Sequence, residues 1–209
     1  MRKQAGRWVV VALATATLFS CAAPSVEPLL TLRLSQKWYE VPSDSLQNIQ
    51  SSWSVEGTSA DRDVVVSVQQ AWSLSPNTVA ADFFTNTAPQ RLQAYTQTRT
   101  LQESEVTALS EASQSIQDVV VLVSDRSVGD GLDIRRNDVS VVDGLTYLEQ
   151  ELAWDFAGVT QTIFVRAAAD LDSKTLTIFW LRCSDSCIAD ESETVSSVLE
   201  KLTRAGSVS

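Results

Sequence analysis

No histidine occurs among the 209 residues. Its absence removes the commonest general base, the Ser-His-Asp and Cys-His arrangements, and the usual zinc and copper ligands. Lysine is nearly as scarce: beyond the first twenty residues only Lys37, Lys174 and Lys201 remain, and none has a serine three positions earlier, so S-x-x-K chemistry has no support. G-x-S-x-G, G-x-G-x-x-G and Walker A patterns are missing too, which leaves no nucleophile elbow, no phosphate-cradling loop and no cofactor motif. A pair of carboxylates doing glycosidase-type chemistry stays open, and the case for an enzyme is weak. Seven glycines and five prolines are too few for a low-complexity chain, and 44% hydrophobic with 20% charged residues fits one ordinary globular core.

The N-terminus departs from that average. Arg2, Lys3 and Arg7 precede an apolar stretch from Trp8 to Phe19, and Leu18-Phe19-Ser20-Cys21 closes it. A basic start, a short apolar run and a small residue before the cut define a secretory signal. The run is about a dozen residues, short of the roughly 20 that a spanning helix needs. A cysteine after the cut, with serine before it and leucine three before it, resembles the lipobox of bacterial lipoproteins. That resemblance implies cleavage before Cys21, a diacylglycerol on its thiol, and a chain held on the extracytoplasmic face of the cell membrane. Residues 1–20 are then signal, 21–28 a lipidated tether containing Pro24 and Pro28, and 29–209 one globular domain.

Removing residues 1–20 takes away three positive charges and no negative one, moving the formal charge from −10 to −13. Such a domain is repelled by nucleic acid and by anionic headgroups, so nucleic-acid binding is excluded and the acyl chain is the membrane contact. The acids are scattered, and solubility explains them without any partner.

Two cysteines besides Cys21 remain, Cys183 and Cys187. In an exported chain they favour a structural disulfide, and the usual redox spacing is the tighter C-x-x-C. A bridge needs Cα atoms about 4.4–6.8 Å apart, so the chain must turn or coil through Ser184-Asp185-Ser186. Asp125, Asp130, Asp133 and Asp138 cluster around Gly129-Asp130-Gly131, but the spacing is not that of a calcium loop, and a solvated loop with no metal is the simpler reading.

Leu30, Leu32 and Leu34 alternate with polar residues as in a half-buried strand, followed by a turn at Trp38, Tyr39 and Pro42. Val64, Val66, Val68 and Trp72 share a face of a second strand. Ser75-Pro76 starts a helix with Val79, Ala80, Phe83 and Phe84 as its stripe, which Pro89 breaks or restarts and Leu92 and Tyr95 continue. Residues 98–117 have no clean period, Val119 to Val123 reads as a buried strand, and 129–138 reads as loop. Val139 to Val142, Asp143-Gly144 and Leu145 to Phe156 form a hairpin. Gly158 turns the chain into Thr160 to Arg166, and Asp170 to Lys174 turns it into Thr175 to Cys183. A last helix runs from Asp190 or Glu191 to about Ala205, with Glu193 as capping partner of Asp190, Val195, Val198, Leu199 and Leu202 as its stripe, and Gly206 as its stop. An α+β fold follows, an antiparallel sheet flanked by helices.

This order, with a strand and tryptophan turn over Leu30 to Pro42, a middle helix, an Asp-Gly start to a meander over Val141 to Cys183, and a terminal helix around Thr194 to Leu199, resembles the PsbP/Mog1-like α/β/α sandwich, especially lipoproteins of the LpqN/LpqT type. The resemblance implies a non-enzymatic binding or assembly module for a protein or cell-envelope partner, with no catalytic residues to carry over. A small-ligand carrier binding between sheet and helix is the alternative, and a carboxylate hydrolase comes third. Trp38, Trp53 and Trp72 are candidate contacts, although aromatics in strands are more often core. One outcome follows from the N-terminus: Cys21→Ser should abolish incorporation of labelled palmitate, and equal labelling of mutant and wild type would contradict the lipid anchor.

Overall fold

The computed structural model describes residues 26–32, 34, 37–46, 66–84, 88–112, 115–120, 132–156 and 158–204. Residues 1–20, expected to be signal, and Cys21, Trp53, Val64, Val121 to Val123, Asp125, Asp130 and Gly206 lie outside them. No helix of the described residues is long and apolar enough to cross a membrane.

A seven-stranded antiparallel sheet forms the centre, in the order β2 (Tyr39–Val41), β3 (Val66–Ser73), β4 (Gln93–Thr100), β8 (Thr175–Ser184), β7 (Val159–Asp170), β6 (Leu145–Phe156) and β5 (Leu132–Val142). Both residues of the Asp143-Gly144 turn have positive φ, 54° and 80°, as a two-residue hairpin of this hand requires. At the next corner Asp170 accepts from the backbone N–H of Asp172 (3.0 Å) and Ser173 (3.3 Å) and from the Ser173 hydroxyl (2.7 Å). Partial burial works against the Asp170 charge, yet these donors hold its carboxyl below the usual range.

Every residue of β8 is buried. Leu176, Ile178 and Trp180 enter one apolar cluster, while Phe179, Leu181 and Cys183 enter the other, so the two clusters lie on opposite faces of the sheet. The first face is covered by Ala80 and Phe83 of a 3₁₀ segment (Ala80–Phe84), by Val106 and Leu109 of α1 (Glu103–Ser110), and by Ile116 and Val119 of α2 (Ile116–Val119). The second carries Cys187 and Ile188 of α3 (Asp185–Asp190) and Val195, Val198 and Leu199 of α4 (Ser192–Lys201). Helices on both faces of an antiparallel sheet make an α+β, three-layered domain.

Several elements differ from the sequence expectations. Residues 93–100 form a central strand rather than a continued helix. Gln93, Thr98 and Arg99 are buried on it: Arg182 Nε donates to Gln93 Oε1 (2.9 Å), and the Thr98 and Thr177 hydroxyls bond each other (3.0 Å). A strand covered on both faces need not alternate apolar and polar, so the period-2 signal is lost. The helix expected from Pro76 is only the 3₁₀ segment, preceded by a turn. Val119 closes a helix instead of opening a strand, with the Val120 N–H donating to Ile116 O (2.9 Å); a short buried apolar run suits either geometry. β5 begins at Leu132, inside the segment read as loop, because an exposed edge strand has no apolar pattern to read. The N-terminal strand shrinks to β1 (Leu30–Thr31), which pairs antiparallel with β9 (Thr203–Arg204). That pairing ends α4 at Lys201, short of Ala205. The N-cap of α4 is Glu191, not Asp190, which belongs to α3. Leu199 is half-buried, while Val195 and Val198 are the buried residues of the stripe.

A buried ion pair pins α1 to the sheet. The Arg99 guanidinium donates to both Glu105 carboxylate oxygens (2.8 and 2.9 Å), with both side chains nearly buried. Glu105 also accepts from the Gln102 N–H (2.8 Å), completing a capping box at the start of α1. Glu105→Gln strands a buried cation and should cost about 3–5 kcal/mol in urea unfolding. Glu103→Gln, at the exposed pair with Lys174, should cost at most about 1 kcal/mol.

Candidate functional site

Behind α4 the N-terminal segment and the sheet leave a groove of about 520 Å³. Its apolar floor is Leu34, Trp38, Leu74 and Val198, and its rim carries Lys37, Tyr39, Arg91, Glu191, Glu193 and Lys201. Trp38 is half-buried because its ring packs on the cluster beneath α4. Tyr39 begins β2 opposite Ser73 and turns outward, 51% exposed. Arg91 sits just before β4 and reaches Glu191 (3.9 Å), while the Thr194 hydroxyl donates to the other Glu191 oxygen (3.0 Å). Glu191 and Glu193 therefore share one rim, but Glu191 is already engaged by a cation and a hydroxyl. The groove combines an aromatic wall with charges of both signs, suited to a partner that is partly apolar and partly polar.

On the opposite face the chemistry is structural. Arg182 is buried, donating to Gln93 and to the Asp82 carbonyl, with its guanidinium 5.3 Å from the Trp180 ring centroid. Burial pushes its pKa down to about 10, opposed by the Asp82 carboxylate. Trp180 in turn stacks on Tyr95 (5.2 Å), whose own hydroxyl is pushed up by burial.

Cys183 and Cys187 are bridged, with Cα atoms 5.8 Å apart. Cys183 lies near the end of β8 and Cys187 inside α3. The turn required between them is the first turn of that helix, where Ser184 as N-cap accepts from the Cys187 N–H (3.4 Å). Asp185 there accepts from Thr162 and Arg135, which fastens the sheet to α3. Trp72 is half-buried in the same cluster as Trp38, so both are partly core. Asp133 and Asp138 stand on the exposed β5 and bind Arg135 and Arg136, not each other; among the described residues no group of three or more acidic or cysteine side chains is placed to hold a metal. Tyr39, Lys37 and Arg91 as rim residues were not distinguishable in the sequence, because the groove unites four separate segments. With the bridge closing so short a loop, thiol alkylation and mass spectrometry should find Cys183 and Cys187 unmodified until reductant is added, and reduction should cost the low end of about 2–4 kcal/mol.

No family model matches the chain, and no curated protein does. Among solved structures it is similar to cyanobacterial PsbP (CyanoP) from Synechocystis, with a TM-score of 0.46 and 13% identity over 90% of this chain and 98% of that one. It is similar also to LpqN, described as involved in cell envelope biogenesis of Mycobacterium tuberculosis, at 0.44 and 9% over 87% and 83%. A protein of unknown function and putative regulator from Pseudomonas aeruginosa matches at 0.43 and 8%, over 73% and 92%. The likeness lies in the arrangement of strands and helices.

Proposed function

We propose that this chain is an exported, lipid-anchored module that binds a protein or cell-envelope component through the groove beside α4, without catalysing a reaction. The single observation that carries the reading is the open groove itself, with the outward-facing Tyr39 next to Trp38 and a mixed-charge rim of Lys37, Arg91, Glu193 and Lys201. Aromatic and arginine side chains of this kind are the usual anchors of protein contacts. The N-terminal pattern ending in Cys21 supports export and anchoring, and with the fold starting near Leu29 the groove stays within a short tether of the bilayer. The absence of histidine and of nucleophile motifs supports binding over catalysis.

A small-ligand carrier is the second reading, favoured by a groove volume within the ~300–1,000 Å³ usual for ligand pockets. The two part in one experiment. The lipidated chain is used to capture partners from detergent-solubilised membranes, beside native mass spectrometry of the purified chain. Tyr39→Ala should leave unfolding free energy within about 0.5 kcal/mol while losing the captured partner about tenfold or more. A copurifying small molecule in place of a protein partner would move the assignment to a carrier, and capture indifferent to Tyr39→Ala would exclude the groove.

A further inference from the structure

β5 ends the sheet, and among the described residues no strand pairs with its outer edge. It is eleven residues long and exposed almost throughout. Open edges are usually defended by charges and bulges, and β5 has both: Arg135, Arg136 and Asp138, and a register shift between Ile134 and Arg136. The bulge has a second effect. Ile134 stands opposite Leu152 and Val139 opposite Leu148, two leucines of the same core cluster, so residues five apart share one face. Leu132, opposite Trp154, and Val141, opposite Thr146, share it too. Ile134, Val139 and Val141 are 55%, 48% and 70% exposed there. With the bulge counted as one position, these residues are symmetric about Asn137. Arg135 and Arg136 together mirror Asp138, and Asp133 mirrors Ser140, about that residue.

We propose that β5 pairs antiparallel with β5 of a second copy of this chain, about a two-fold axis at Asn137, joining two sheets edge to edge. In this register Ile134 lies beside Val139 of the second copy, Leu132 beside its Val141, and the bulge residues Arg135 and Arg136 opposite its Asp138, each contact made twice. The bulge of one strand lies on one side of the axis and that of the other on the other side, so each strand carries one extra residue and the apolar pairs stay on one face. Neighbouring axes fail on charge. One at Arg136 sets that cation against itself, and one at Asp138 sets that carboxylate against itself. Arg136 and Asp138 already pair within each copy, and the two-fold sets each such pair antiparallel to the other; the same features that guard the edge select its partner.

The test uses two full-length variants, Ile134→Cys and Val139→Cys, purified in detergent, mixed and mildly oxidised. A cross-linked dimer is expected only from the mixture, since each cysteine lies beside the other position and not beside itself. Pairing Ile134→Cys with Val141→Cys should give about tenfold less. Sedimentation equilibrium of the otherwise unaltered chain should show concentration-dependent dimers that Val139→Lys weakens about tenfold or more, with the unfolding midpoint unchanged at concentrations where both chains are monomeric. A chain monomeric at every concentration, a cross-link no stronger in the 134/139 mixture than in the 134/141 mixture, or a dimer indifferent to Val139→Lys would overturn the proposal.

Discussion

The structure depends on one strand being buried on both faces. β8 has no exposed residue: Leu176, Ile178 and Trp180 form the floor of one layer, and Phe179, Leu181 and Cys183 that of the other. Hydrophobic gain accrues on both sides of a single backbone, so the two helical layers are stabilised through the same residues. β4 and β7 flank β8 over eight and ten registered positions. The bridge from Cys183 to Cys187 continues that strand directly into the helices covering the second face. The constraint has a cost, since polar groups on central strands must find partners inside the protein. Gln93, Thr98, Arg99 and Arg182 do so through Arg182, Thr177, Glu105 and the Asp82 carbonyl, whereas the buried side chains of Gln69 and Gln161 have no hydrogen-bond partner among the described residues.

Polar burial also explains where the fold was legible in the sequence and where it was not. The hairpin at Asp143-Gly144, the turn at Asp170, the meander through β6, β7 and β8, the bridge and the terminal helix all announce themselves by local chemistry: a positive-φ pair, turn-forming carboxylates, apolar periodicity, cysteine spacing. β4 does not. Its Gln-Ala-Tyr-Thr-Gln-Thr-Arg-Thr composition looks like surface, and its polar side chains are accommodated by Glu105 of the next helix and by Thr177 and Arg182, which are distant in sequence. The first part of β5, from Leu132 to Asp138, reads as loop for the opposite reason, being so exposed that no burial pattern marks it. A helical stripe does not reveal which residue sits at its margin: Leu199 and Leu202 pack on the second cluster as the stripe implies, but are half-buried there.

The candidate site was legible only in part. Trp38 stood out as an aromatic at a turn, but nothing local joins it to Arg91 or Lys201. They meet because β1 pairs with β9, drawing the N-terminal segment against the end of α4. The groove is thus a by-product of how the chain's two ends are tied together, laid over the second layer. A partner bound there would rest on elements whose own stability comes from β8.

Amide hydrogen exchange of the full chain tests this dependence most directly. If β8 is the shared wall of both layers, its amides and those facing it on β4 and β7 exchange only through global unfolding, at an opening free energy equal to that from urea titration, of order 5–15 kcal/mol for a domain of this kind. Amides of α4 and α1 then open at or below that value, never above it. Amides of β8 exchanging through a smaller opening than those of α4 would contradict the account, because the helical layer would then outlast the strand said to hold it.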